Sequence, residues 1–89
     1  MSHNIGKVVQ VIGPVVDVAF AEDRLPDLLT AIEIPRKDGD SLIVEVAQGI
    51  GADRVRCVAM GSTDGLVRDM DAIDTGGPIK APVRNEILG

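Results

Sequence analysis

Hydrophobic and polar positions alternate along most of this chain with the period of two that marks a strand buried on one face. Ile5 to Ile12 and Val15 to Phe20 form two such arms, with Gly13 and Pro14 between them. Those two residues predict a bend, because a proline inside a helix costs about 3 kcal/mol and biases the residue before it toward extended backbone. In the second arm Val16, Val18 and Phe20 share the core face, which leaves Asp17 on the wet one. Leu29 to Ile34 predicts a short strand ended by Pro35. Asp38 and Gly39 then lie between two apolar runs, the turn chemistry of a hairpin. The strand that follows, Ser41 to Gln48, points Leu42, Val44 and Val46 one way and Ile43, Glu45 and Ala47 the other. After Gly49, Ile50 and Gly51 the alternation resumes from Arg54 to Met60, with Val55, Cys57 and Ala59 inward and Arg54 and Arg56 outward, giving a second hairpin.

Ser62, Thr63, Asp64 and Gly65 are turn formers in succession: the first three bond nearby backbone through their side chains, and glycine accepts a positive φ. Leu66 and Val67 are too few for more than a bridge. Asp71 to Asp74 and Ile79 to Val83 predict two last short strands around a turn at Thr75, Gly76, Gly77 and Pro78, with Pro82 confining the final one to an edge or an end. No segment holds a helical period over three turns. Six or so short strands with frequent turns predict an all-β fold, a small barrel.

Composition sharpens this picture. The chain has 89 residues, enough for about one domain, and Phe20 is its one aromatic residue against twenty-one valines and isoleucines. Fourteen Asp and Glu against nine Lys and Arg leave a formal charge of −5, so no positive field collects phosphates, and nucleic acid is a poor expectation. The acids gather in Ala21 to Asp40 and in Met60 to Gly76, both read as loop-rich. With one cysteine there is no internal disulfide, which fits a reducing compartment. The longest apolar stretch, Val11 to Val16, is far below the ~20 residues of a membrane helix, and no signal-peptide pattern opens the chain.

Catalytic chemistry finds little to work with. His3, the one histidine, lies at the N-terminal end, and Cys57 reads as a small buried hydrophobe on a strand face. Asp69, Asp71 and Asp74 suggest a calcium loop at first sight, but Ile73 stands where a third ligand belongs, so they read as solvated carboxylates. Gly49 and Gly51 begin like a dinucleotide fingerprint whose third glycine is Arg54, and none of Lys7, Lys37 or Lys80 has the flanking residues of a Walker loop. The expectation is no catalytic, cofactor or metal site in these residues.

The run from Gly6 to Phe20 closely resembles the opening of the β subunit of F-type ATP synthases. The resemblance continues in order and spacing through Glu45 to Gln48, Val55 and Arg56, Ala59 and Met60, Ser62 to Arg68, Asp74 to Gly76, Pro82 and Val83, and Leu88 and Gly89. There are departures: Asp69 and Arg84 stand where that family has glycine, Gly49 where it has histidine, and Cys57 where it has threonine. Asp69 matters to the shape of its turn, since a side chain at positive φ is uncommon, with Asp among the tolerated ones.

The resemblance implies a six-stranded closed β-barrel over residues 1–83, with 84–89 opening a linker to a nucleotide-binding domain. It implies a non-catalytic assembly module that alternates with α-subunit barrels in a hexameric crown. Mg-ATP or ADP and the chemistry would belong to other parts of the parent, an ATP synthase coupled to ion movement. It implies a peripheral place on the cytoplasmic side of a bacterial plasma membrane or the stromal side of the thylakoid, with no direct insertion. Partner-contact candidates are Glu45, Arg54 and Arg56 on outward strand faces and Asp64 and Arg68 in the turn. The competing expectations are a free-standing small-barrel module binding a ligand or nucleic acid, against which stand the acidic charge and missing stacking aromatics, and a small enzyme using paired carboxylates.

Overall fold

The computed structural model describes residues 4–21, 24–37 and 39–78. Six strands account for most of them: β1 (Asn4–Ile12), β2 (Val15–Ala19), β3 (Thr30–Pro35), β4 (Ser41–Gly49), β5 (Arg54–Ala59) and β6 (Asp71–Pro78). Gly13 and Pro14 alone join β1 to β2, and Gly13 takes φ 56°, the sign that tight hairpin turns need at their first central position. The hairpin at Gly39 (φ 89°) forms as its sequence predicts, closed by Arg36 N–H donating to the Asp40 carbonyl at 2.7 Å.

All pairings are antiparallel, and the closed order is β1-β2-β5-β4-β3-β6. The three consecutive strands β3, β4 and β5 return beside β2 as a Greek key, and β6 lies between β3 and β1. Every strand therefore has two neighbours and no edge is left open. The core inside is Val8, Val16, Val18, Phe20, Ile32, Ile34, Leu42, Val44, Val46, Val55, Cys57 and Ala72, one alternating set from each strand. Branched aliphatic side chains make up most of this core, and Phe20 is its one ring. The 61–70 segment adds Leu66 and Met70 against this core, and its backbone bonds β1, Val8 N–H to the Met70 carbonyl at 3.0 Å and Asp69 N–H to the Val8 carbonyl at 2.8 Å.

Two expectations change here. Thr75 to Pro78 is not a turn between two strands; β6 runs through it as one strand. Thr30 pairs with Pro78 and Ile32 with Asp74, so four residues of β6 advance against two of β3, with Gly76 at φ 89°. The extra residues form a bulge that the sequence supplies with its own pins: Gly76 N–H donates to the Asp74 carboxylate at 2.8 Å and the Thr75 hydroxyl to the Ala31 carbonyl at 2.8 Å. The strand expected at Ile79 to Val83, the 84–89 linker and His3 lie outside the described residues. The second change concerns Asp17, which is on the outer face as its parity demands but only 6% exposed.

Candidate functional site

With every strand paired on both sides, the barrel offers a partner its outer wall and its two ends. Register fixes which side chains share the wall. Gln10, Asp17, Arg56 and Gln48 lie opposite one another across β1, β2, β5 and β4, forming a polar row. Within it Arg56 holds Asp17 with two bonds, Nε to Oδ1 at 3.0 Å and Nη2 to Oδ2 at 3.3 Å. This fork explains how a carboxylate can be buried outside the core: its charge is met by a planar donor lying over it. Hydrogen bonding to Asp17, and then its charge, raise the Arg56 pKa further above its ordinary value. The Arg56 side chain stays about half exposed and lines a cleft of about 250 Å³ with Gln10, Ile12, Val15 and Asp17.

The remaining sequence-predicted candidates separate into two places. Glu45 is half-buried on the outside of β4, opposite Val58 and Ala31, and Arg54 is exposed at the start of β5 with its Nε 3.6 Å from Asp53. Together with Arg56 they occupy the β4 and β5 wall. Asp64 and Arg68 are exposed in the 61–70 segment instead, so the five do not form one cluster.

That segment is a staple at one end of the barrel. Arg36, just past β3, donates from Nη1 to the carbonyls of Ser62 (2.8 Å) and Asp64 (3.4 Å) and from Nη2 to the Asp40 carboxylate (2.7 Å). The Ser62 hydroxyl accepts locally from Asp64 N–H at 3.1 Å, as turn chemistry predicts, whereas the Thr63 hydroxyl reaches the Gly13 carbonyl at 3.0 Å. One turn thereby ties the β1–β2 bend to the β3–β4 hairpin. The Asp40 carboxyl is held below its ordinary pKa by the Ser41 N–H and then by Arg36.

The acidic residues read as calcium-like disperse. Asp69 sits at φ 72°, Asp71 pairs with Lys7 on the outer wall, and Asp74 serves the Gly76 bulge. Cys57 is fully buried, as its strand parity predicts, and burial, then the Asp17 charge, push its thiol from an ordinary 9.0 to about 12. A thiol so held is a packing group, since the thiolate is the reactive form.

Residues 8–76 match the family model of the ATP synthase alpha/beta family, beta-barrel domain. The chain belongs to that family. For this ATP synthase alpha/beta barrel, the outer wall gains interest over the interior, and on it sequence reading missed several residues. It treated outward positions as wet, yet Ile43 and Ile73 are half-buried and Ile5, Ile12 and Val58 are exposed apolar side chains on the wall. The signal was available: each is an isoleucine or valine at an outward parity position. Asp17 and Arg56 are legible as partners only once β2 and β5 are known to be neighbours.

Proposed function

We propose that this barrel is the non-catalytic assembly domain of an ATP synthase β subunit, which joins α and β subunits into the crown of a ring. The observation that carries the reading is the fit of residues 8–76 to the alpha/beta barrel domain. The β-type assignment rests on the resemblance of Gly6 to Phe20 and of Ser62 to Arg68. The physical case is that a closed barrel is rigid, presents no open edge to wrong partners, and can pack sideways through its wall.

The partners are α-subunit barrels alternating with this one, and Glu45, Arg54, Arg56, Asp64 and Arg68 are the charged groups first offered as contacts. Mg-ATP and ADP belong to the nucleotide-binding domain of the parent, in which catalysis coupled to ion movement resides. The residues of the barrel do not fit the nucleotide: Gly13, Gly39, Gly65 and Gly76 turn the backbone, but among the described residues none opens a helix whose N-terminus could take phosphate. In this reading residues 1–83 are the barrel and 84–89 begin the linker. The assembled enzyme places the domain peripherally, on the cytoplasmic side of a plasma membrane or the stromal side of a thylakoid.

The test is native mass spectrometry of the polypeptide captured from its source with an antibody against this barrel. A heavier subunit arriving with α-type partners is the expected result. A free barrel without partners would overturn the reading in favour of a small binding module.

A further inference from the structure

The 61–70 segment is tied to the barrel near both of its ends, and the last tie involves a sulfur atom. Toward its start the Thr63 hydroxyl bonds the Gly13 carbonyl, and Arg36 bonds the carbonyls of Ser62 and Asp64. At its end Met70 does three things. Its carbonyl accepts from Val8 N–H on β1 at 3.0 Å, its half-buried side chain packs against the core, and its Sδ accepts the N–H of Val67 at 3.2 Å. Asp69 lies between them at φ 72°, with its own N–H bonded to the Val8 carbonyl at 2.8 Å. A thioether thus closes the turn that fastens the segment to β1.

The same residue borders a cleft. Met70 lines a space of about 290 Å³ together with Arg36, Lys37, Asp64, Gly65 and Val67. One water takes about 30 Å³, so a small peroxide has ample room there. Cys57 is shut inside the core, which leaves Met60 and Met70 as the sulfur-bearing residues that a reagent meets among the described residues. Met60 packs against nothing that would make its oxidation matter to the segment: it is 51% exposed. Met70 is different, because its sulfur serves the turn.

We propose that Met70 is a redox-responsive latch on this segment, opened by hydrogen peroxide. A sulfur lone pair attacks one peroxide oxygen, the O–O bond breaks, and the proton of the transferred oxygen passes to the departing hydroxide. The thioether is oxidised to a sulfoxide and the peroxide is reduced to water. The product does not fit the place of the thioether. With its oxygen toward Val67 the amide must retreat, because 3.2 Å between nitrogen and sulfur leaves no room for an oxygen between them. With its oxygen toward the core, a polar group is buried without a donor. In any orientation the sulfur has gained positive charge and repels the N–H that it held. The turn opens, and Asp69 and Met70 loosen from Val8. This inference is independent of the assembly reading.

The experiment treats the full polypeptide that carries this barrel with hydrogen peroxide, locates each added oxygen by peptide mass spectrometry, and reads amide hydrogen exchange across residues 5–9 and 66–70. Met60 is the internal reference for an accessible thioether. Met70 gains one oxygen in the native fold, and exchange of the Val8, Val67 and Asp69 amides then rises about tenfold, as the loss of a hydrogen bond and its apolar contact implies. Met70→Leu keeps the volume, removes the sulfur and shows no response to peroxide, while Met60→Leu responds as the unmodified chain does. A dithiol-dependent methionine sulfoxide reductase, which releases the oxygen as water and ends as a disulfide, returns exchange to its starting rate. A Met70 that is still a thioether when Met60 is fully oxidised overturns the proposal. So does a Met70 sulfoxide with unchanged exchange, or exchange that stays fast once the oxygen has been removed.

Discussion

Gly6 is the position at which one methyl group should matter most. It lies in β1 where that strand runs against β2, and a Cβ built on it falls 2.9 Å from the Phe20 ring and nearer still to the Ala19 carbonyl oxygen. Carbon atoms rest about 3.5–4.0 Å apart, so Gly6→Ala forces an overlap of more than half an ångström against backbone that is itself hydrogen-bonded. The ring can turn a little, but the carbonyl cannot without stretching the ladder around the Lys7 and Ala19 pair. Overpacking of this sort costs about 1–3 kcal/mol, and restricting the unfolded chain returns roughly 0.4–1 kcal/mol, which leaves a net loss of about 1.3 kcal/mol. For a domain of this size that lowers the melting temperature by about 5–10 °C. The control is the same chemical change at Gly49, where nothing lies within 4 Å and φ is not positive; Gly49→Ala should be neutral or slightly stabilising. Urea unfolding followed by far-ultraviolet circular dichroism reads both. If Gly6→Ala unfolds at or above the wild-type midpoint, the β1–β2 approach is looser than described and the reasoning fails.

Three further outcomes follow from particular residues. Leu29 is exposed and held at φ 69°, a conformation that costs an L-residue about 1–2 kcal/mol, so Leu29→Gly should raise stability by up to about 1 kcal/mol once the entropy of glycine is counted, seen as a higher urea midpoint. Cys57 stays protonated in the fold to about pH 12 while the unfolded chain ionises near 9.0. The contribution of this thiol is therefore full below pH 9 and is lost above it by up to about 1.4 kcal/mol per pH unit, so Cys57→Ala should make the alkaline fall in stability shallower in melts between pH 8 and 11. Arg56→Ala strips a buried carboxylate of its forked partner, whereas Arg54→Ala removes an exposed side chain with one long contact. Calorimetry should show a clearly lower melting temperature for the first variant and little change for the second.

What the sequence made legible was whatever depends on parity and turn chemistry. The first five strands are present within a residue or so of their expected bounds, and Val16, Val18, Leu42, Val44, Val46, Val55 and Cys57 face inward as alternation requires. The Gly13–Pro14 bend and the Gly39 hairpin were local signals and formed locally. Failures arose where distant chain decided the matter. The glycine pair in β6 reads as a turn until β3 is known to lie beside it, when the same residues become a bulge inside a strand. Asp17 reads as wet until Arg56 is placed over it. Leu29 gives no warning of its positive φ, because the bond from its N–H to the Val46 carbonyl joins residues far apart in sequence. Which outward residues become neighbours, such as the row of Gln10, Asp17, Arg56 and Gln48, needs the strand order, which no local pattern encodes.

The β1–β6 seam has a consequence for the order in which the molecule comes into being. Asn4 pairs with Asp74 and Lys7 with Asp71, so the earliest of these six strands to be made is completed by the latest of them. Until Asp71 to Pro78 emerge, β1 and β3 each lack a neighbour and the barrel cannot close. Closing a loop of this length early is entropically costly, and vectorial synthesis withholds the reward until the end. Nascent chains arrested before Asp71 should remain cleavable by protease along β1, and chains extended past Pro78 should become resistant in a single step. The same seam makes the domain indivisible: neither end of it can be trimmed without unzipping the other.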